Sequence, residues 1–279
     1  TINIIDARFK NKNAFSGIAS GITKLDSMTS GFQKSEMIIV GARPSMGKTA
    51  LAMSMMENIA INKKIPCGFF SLEMSADQIG QRLLSQVARI QGTKLKSGLL
   101  KFEDFKKLQD AAGECFNAPL YIVDTPNMKL LDLRAMARRM RVNQKVEIIF
   151  IDYIGLITPE NTEAPLHEQQ SMISKSLKSL ARELEIPIVV LCQVARSAEG
   201  NEPGLAELRG SGSIEQDADM VMFIHGDRSR NKETNEGYNP VQDRTLIVAK
   251  QRNGPIGDVK VRFFSNYTKF ENAADDDQE

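Results

Sequence analysis

The chain has 279 residues, 42% of them hydrophobic and 25% charged, with 36 basic against 35 acidic side chains and a net charge of +1. That length and composition fit one large α/β domain with a full core. The near-neutral balance excludes a protein that coats nucleic acid through bulk positive charge, while leaving room for a local basic surface.

In chain order, residues 1–16 open with TINIIDARFKNKN, polar and charged around a small apolar patch, which reads as a linker or docking segment. Strands are expected at 36–41, 67–73, 119–124, 147–154, 186–193, 219–225, 244–251 and 259–265, where short apolar, β-rich runs stand. Between them, Ile79, Leu83, Val87 and Ile90 mark one helical face. Leu133, Met136, Ala137 and Met140 mark a second, and Ile173, Leu177, Leu180 and Leu184 a third. Strands apolar on both faces with helices between them imply a mostly parallel sheet covered on both sides. The last two strand runs are joined only by NGPIGD at 253–258, so an antiparallel hairpin is expected at one edge. The domain is expected to occupy 17–271, and the acidic end at 272–279 reads as a disordered tail.

The longest apolar run, IPIVVLC at 186–192, is too short for a membrane span, and no signal-peptide pattern opens the chain. Cys67, Cys115 and Cys192 lack ligand-like spacing and read as free thiols in a reducing cytoplasm, and two histidines are too few for a histidine-based metal site. The 13 methionines are read as core packing.

The stretch GARPSMGKTA at 41–50 lies between the strand run EMIIV and a helix carrying Leu51, Ala52, Met55 and Ile59. Ala42, Arg43, Pro44, Ser45, Met46, Gly47, Lys48 and Thr49 match a phosphate-binding loop whose first glycine is replaced by Ala42. Gly41 lies one place earlier and Ala42 is nearly as small, so the cradle is expected to persist. In such a loop, backbone N–H groups up to the helix start at Ala50 converge on phosphate oxygens. Lys48 reaches the β and γ phosphates, and Thr49 offers its hydroxyl to Mg²⁺.

Hydrolysis needs more than a cradle. Asp152, at the end of EIIFIDYI, is placed to face the Mg²⁺, the competing reading being a carboxylate that caps the next segment. Glu73, after FFSL, is the candidate to polarise the attacking water, though alone it reads as an ordinary strand-end acid. Gln193 ends another strand and can sense the γ-phosphate through its amide. Lys250 and Arg252 alternate along a strand at a sheet edge, so both heads can point one way. They can stabilise charge on the transferred phosphoryl group, in their own or a neighbouring subunit's site, or simply guard the edge.

These pieces in this order resemble the motor domain of the DnaB family, the hexameric replicative helicases of bacteria and their phages, on a RecA-like P-loop fold. The resemblance spans about residues 17–271, includes FFSLEMSADQIGQRLL and IIFIDYIGLI, and rests above all on LRGSGSIEQDAD and KQRNGP. It implies that Lys48 and Thr49 bind phosphate and Mg²⁺, that Glu73 is the catalytic base, and that Asp152 is the metal-side acid and Gln193 the coupling residue. Arg82, nine residues after Glu73, matches a basic nucleotide-site residue. Lys250 and Arg252 would act in the next subunit's site. ATP and Mg²⁺ are implied as cofactors, single-stranded DNA, a homo-hexamer, a primase and a helicase loader as partners, and translocation 5′ to 3′ as the activity.

In the family two loops line the channel and hold DNA. The first, TPENTEAPLHE at 158–168, is acidic here and without Lys or Arg, so it is not expected to grip phosphate. In the second, at 197–213, Arg209, Gly210, Ser211 and Gly212 are the DNA-contact candidates, a Gly-Ser run otherwise reading as a flexible loop. Two other functions remain open, a filament-forming recombination ATPase and a nucleotide-gated loading factor.

Overall fold

The computed structural model describes residues 15–194, 202–208, 212–226 and 239–273. Among these, nine strands form one sheet in the order β3-β2-β4-β5-β1-β6-β7-β8-β9. They are β1 (Met37–Ala42), β2 (Cys67–Ser71), β3 (Leu120–Val123), β4 (Ile148–Asp152), β5 (Ile188–Gln193), β6 (Met220–His225), β7 (Val241–Gln251), β8 (Gly257–Phe264) and β9 (Lys269–Asn272). The first six pair in parallel and the last three antiparallel.

The physical reason is burial. Every residue of β1, β2 and β4 is buried, as a strand covered on both faces requires. Side chains alternate between two cores. Ile38, Val40, Phe69 and Phe150 pack with Leu51, Met55, Ile79 and Leu83 of the helices Lys48–Met56 and Ala76–Ala88. Met37, Ile39, Phe70 and Ile149 pack on the other face with Leu133, Ala137, Ile173 and Leu177 of the helices Leu130–Asn143 and Leu166–Leu184. Each of the three helical faces named from spacing is the buried one, with Val87, Met136 and Leu184 at its partly buried rim and Ile90 just past its helix end.

Three expectations need correction. The β7–β8 hairpin is present at the antiparallel end of the sheet, but β7 runs between β6 and β8, and β9 forms the edge beyond β8, so Lys250 is not on an edge strand. A strand of only four residues, KFEN, carries too little periodicity to be seen in the sequence. Asn272, assigned to the tail, closes β9, its amide accepting from Thr23 N–H at 2.8 Å and donating to the Gly21 carbonyl at 3.1 Å. The Phe102–Phe116 helix, with the short helix Gly92–Ser97 before it, also went unassigned. Phe102, Phe105 and Phe116 are all exposed there, and Ala111 is the helix's buried residue.

No helix among the described residues is long and apolar enough to cross a membrane, and no cluster of potential metal-ligating side chains is present among them. Cys67 and Cys192 are buried and Cys115 half-buried, all as free thiols. Burial pushes the Cys67 thiol far up and the Cys115 thiol up to about 11, so neither is a reactive thiolate.

Candidate active site

The six parallel strands end on one side of the sheet, where α/β proteins of this kind bind ligands. Ala42, the last residue of β1, stands in register with Gln193 at the end of β5, and Ser71 of β2 with Asp152 of β4. The loop that follows β1 turns through Ser45 (φ 64°) and Gly47 (φ 94°) into the Lys48–Met56 helix. Gly47 is required twice over. Its φ is strained for any residue with a Cβ, and an added Cβ would lie 2.9 Å from Cε2 of Phe270. The helix N-terminus presents unpaired N–H groups and a positive dipole end, the usual seat of a phosphate.

Gly41 does not substitute for the missing glycine of the loop. It lies inside β1 against the ring of Phe223, where a side chain would collide. Ala42 is itself still strand, its carbonyl accepting from Val194 N–H at 3.0 Å. The cradle begins at Arg43, and the glycine pattern is relaxed because β1 simply runs one residue into it.

Lys48, Thr49 and Asp152 meet. The Thr49 hydroxyl donates to Asp152 Oδ2 at 2.6 Å, and Lys48 Nζ is 3.1 Å from Oδ1. Asp152 is 1% exposed, so its charge must be compensated locally, and Lys48 does so. The reading of Asp152 as a cap of the next segment is overturned, since both its oxygens face the cradle. Lys48 Nζ also lies 3.9 Å from the ring centroid of Tyr153, a cation–π contact that orients the ammonium. Tyr153 was missed from the sequence, where an aromatic beside a strand-end acid is not distinctive. A hydroxyl and a carboxylate side by side are hard oxygen donors of the type that Mg²⁺ takes.

Glu73 lies exposed in the turn after β2, two residues past the strand end that flanks Asp152. That turn is held firmly. Ser71 Oγ donates to the Met74 carbonyl at 2.6 Å, Ser75 and Gln78 form a capping box, and Asp124 accepts from Ala76 N–H at 2.7 Å. Arg82, exposed on the helix so started, borders a cleft with Met74, Gln78, Asn266 and Thr268. Gln193 lines a separate cleft with Tyr153, His167 and Gln170, beside the cradle.

Lys250 and Arg252 are elsewhere. Val221 pairs with Lys250, and Met220 pairs with both Ile38 and Gln251, so the two cations stand at the amino ends of the parallel strands. A strand's length, roughly 15–20 Å, separates them from the cradle of their own subunit. Arg252 is in the turn after β7, yet both heads do point one way. Lys250 Nζ donates to the Glu215 carbonyl and Arg252 Nη2 to that of Gln216, each at 2.5 Å, at the end of the Gly212–Asp217 helix. Burial and the neighbouring Arg252 charge hold the Lys250 ammonium below its ordinary pKa.

Of the DNA-contact candidates, Gly212 opens that helix, while Arg209, Gly210 and Ser211 lie outside the described residues. The acidic loop is tied to its surroundings through the Thr158 N–H, donated to the Met128 carbonyl at 3.0 Å, and Gln169 Nε2, donated to the Ala164 carbonyl at 2.7 Å.

The chain is similar to known proteins over nearly its whole length. Residues 17–272 match the model of the DnaB-like helicase C-terminal domain. A replicative DNA helicase DnaB of Treponema pallidum is 56% identical over 269 residues, covering 96% of this chain and 59% of that protein. One of Geobacillus stearothermophilus is 43% identical over 276 residues, covering 98% and 60%. The chain thus spans about three fifths of the length of these relatives. A solved structure described as an ATPase domain superposes with a TM-score of 0.88 at 32% identity, covering 98% of this chain and 97% of that one. A DnaB-like replicative helicase, solved in a study of its interactions with primase, gives the same TM-score and identity over 98% of this chain and 66% of its own. The chain belongs to the DnaB-like helicase C-terminal domain family.

Proposed function

We propose that the chain is the ATP-hydrolysing motor of a replicative DNA helicase, which works as a homo-hexameric ring in the cytoplasm and moves 5′ to 3′ along single-stranded DNA. The observation that carries this reading is the convergence of Lys48, Thr49 and buried Asp152 on the cradle that follows β1. In the mechanism, the loop amides and Lys48 bind the β and γ phosphates of ATP. Thr49 and Asp152 would hold Mg²⁺, which when bound supplies charge neutralisation at the phosphate oxygens. Glu73 accepts a proton from the attacking water, Arg82 borders the nucleotide, and Gln193 reports the loss of the γ-phosphate to the chain that follows β5.

Lys250 and Arg252 act in the site of the neighbouring subunit. Their place at the far end of the strands supports this, because no side chain spans a strand's length to its own cradle. Arg209 and the Gly210–Gly212 run are proposed to hold DNA phosphates. A few contacts per subunit suffice when a ring repeats them around one strand. A primase and a loader are proposed as partners, the first because a relative was studied with one.

The test is steady-state Mg²⁺-ATP hydrolysis against added single-stranded DNA at several protein concentrations. The expected result is a rate per subunit that rises with concentration and again with DNA. Turnover indifferent to both would point instead to a nucleotide-gated switch, and filaments seen by electron microscopy to a recombination ATPase.

A further inference from the structure

We infer that Asp219 is the positioning residue for Lys250 and Arg252, setting where the two cations leave the sheet. The inference rests on the trans role proposed above for that pair.

Asp219 immediately precedes β6, and its side chain is 8% exposed. Five contacts converge on it, one of them its own N–H donated to the Met37 carbonyl at 3.0 Å. Its carbonyl accepts from Arg252 N–H at 2.9 Å, and its Oδ1 is 3.4 Å from Arg252 Nη1. Its Oδ2 accepts from Lys178 Nζ at 2.6 Å and from Met37 N–H at 2.8 Å. Lys178, from the Leu166–Leu184 helix, also donates to the Ser35 carbonyl at 2.8 Å.

The balance of these contacts is informative. A buried carboxylate needs a close cation and good hydrogen bonds, and Lys178 with the Met37 amide provides both. Arg252 is therefore not needed to neutralise Asp219. Its guanidinium sits at longer range and is 46% exposed, so it is aimed rather than consumed. The backbone bond to the Asp219 carbonyl fixes the root of Arg252, and its head is held between the Gln216 carbonyl and the Asp219 carboxylate. Lys250 and Arg252 repel one another, and the carbonyls of Glu215 and Gln216 together with Asp219 are the negative groups that hold the two side by side. With a neutral amide at 219, Arg252 would lose its carboxylate partner, the remaining acids near the cations being Glu215 and Asp217 beside Lys250 and Glu36 beside Lys178, and the pair would splay.

The competing role for Asp219 is to buttress β1, whose far end becomes the cradle, through Met37. That role would appear as weakened nucleotide binding in the same subunit. Asp219→Asn is therefore tested in the full chain by two readouts, the affinity for a fluorescent Mg²⁺-ATP analogue and turnover in rings mixed with Glu73→Gln subunits. Those subunits lack the base but carry an intact cation pair. The expected result is an affinity within about twofold of the parent, turnover down by about tenfold or more, and partial recovery on mixing, as for Arg252→Ala.

An affinity loss of about tenfold, or no recovery where Arg252→Ala does recover, overturns the inference. Failure of Arg252→Ala itself to recover in exchanging rings sinks the trans reading and this inference with it, so the two failures are distinct. Should Asp219→Asn fail to fold, Lys178→Gln takes its place. It leaves Asp219 to draw Arg252 inward, with turnover expected to fall by about threefold at unchanged nucleotide affinity. Unchanged turnover would overturn the inference.

Discussion

Asp152 shows how one side chain is given several duties by its surroundings. Buried at the end of β4, it takes the Thr49 hydroxyl on one oxygen and the Lys48 ammonium on the other. The residue whose chemistry is most separable from binding is Glu73, exposed and clear of that network. Glu73→Gln keeps the shape of the turn and removes only the proton acceptor. Nucleotide affinity is expected to stay unchanged while single-turnover hydrolysis falls by about 100-fold or more. Equal loss of affinity and rate would assign Glu73 to binding instead.

Among the elements, β9 has the most leverage for its size. Phe270 is 3% exposed, its ring centroid lies 4.8 Å from that of Phe263, and the same ring backs the Gly47 turn. Its N–H donates to Ser54 Oγ at 2.9 Å on the helix that begins at the cradle, and the neighbouring Lys269 pairs with the buried Glu57 at 2.6 Å. Removing the ring leaves a cavity beneath the phosphate loop. Phe270→Ala is expected to lower stability by about 3–4 kcal/mol and to weaken nucleotide binding as well. Thermal unfolding and a nucleotide titration check both. A destabilised variant with full nucleotide affinity would mean that the loop holds its shape without the ring.

The whole molecule is asymmetric in a way that fits a ring. Cradle and cation pair lie at opposite ends of the parallel strands, so one complete site is expected to need two copies. Arg252→Ala subunits are expected to bind nucleotide yet turn it over poorly. Mixed with Glu73→Gln subunits they should regain part of the activity, because some interfaces then join two intact halves. Hydrolysis followed across mixing ratios checks this, and a flat response in rings that exchange subunits would place Arg252 in cis.

Much of this was readable in advance where the signal is local. The apolar runs located eight of the nine strands, and the residues of the cradle and the acid at the end of β4 were named from strand-end chemistry. The short strand Lys269–Asn272, the ring of Tyr153 over Lys48 and the Asp219 cluster were not, because each depends on partners distant in the chain. Asp219 lies 182 positions from Met37 and 41 from Lys178. By itself the sequence determined the order of elements, the apolar faces and the phosphate loop, since hydrophobic period and turn chemistry are written in neighbouring residues. Only the tertiary structure decided that β7 is interior, that Gly41 serves packing, and that the cation pair faces away from its own cradle, because strand order and register are set by long-range pairing.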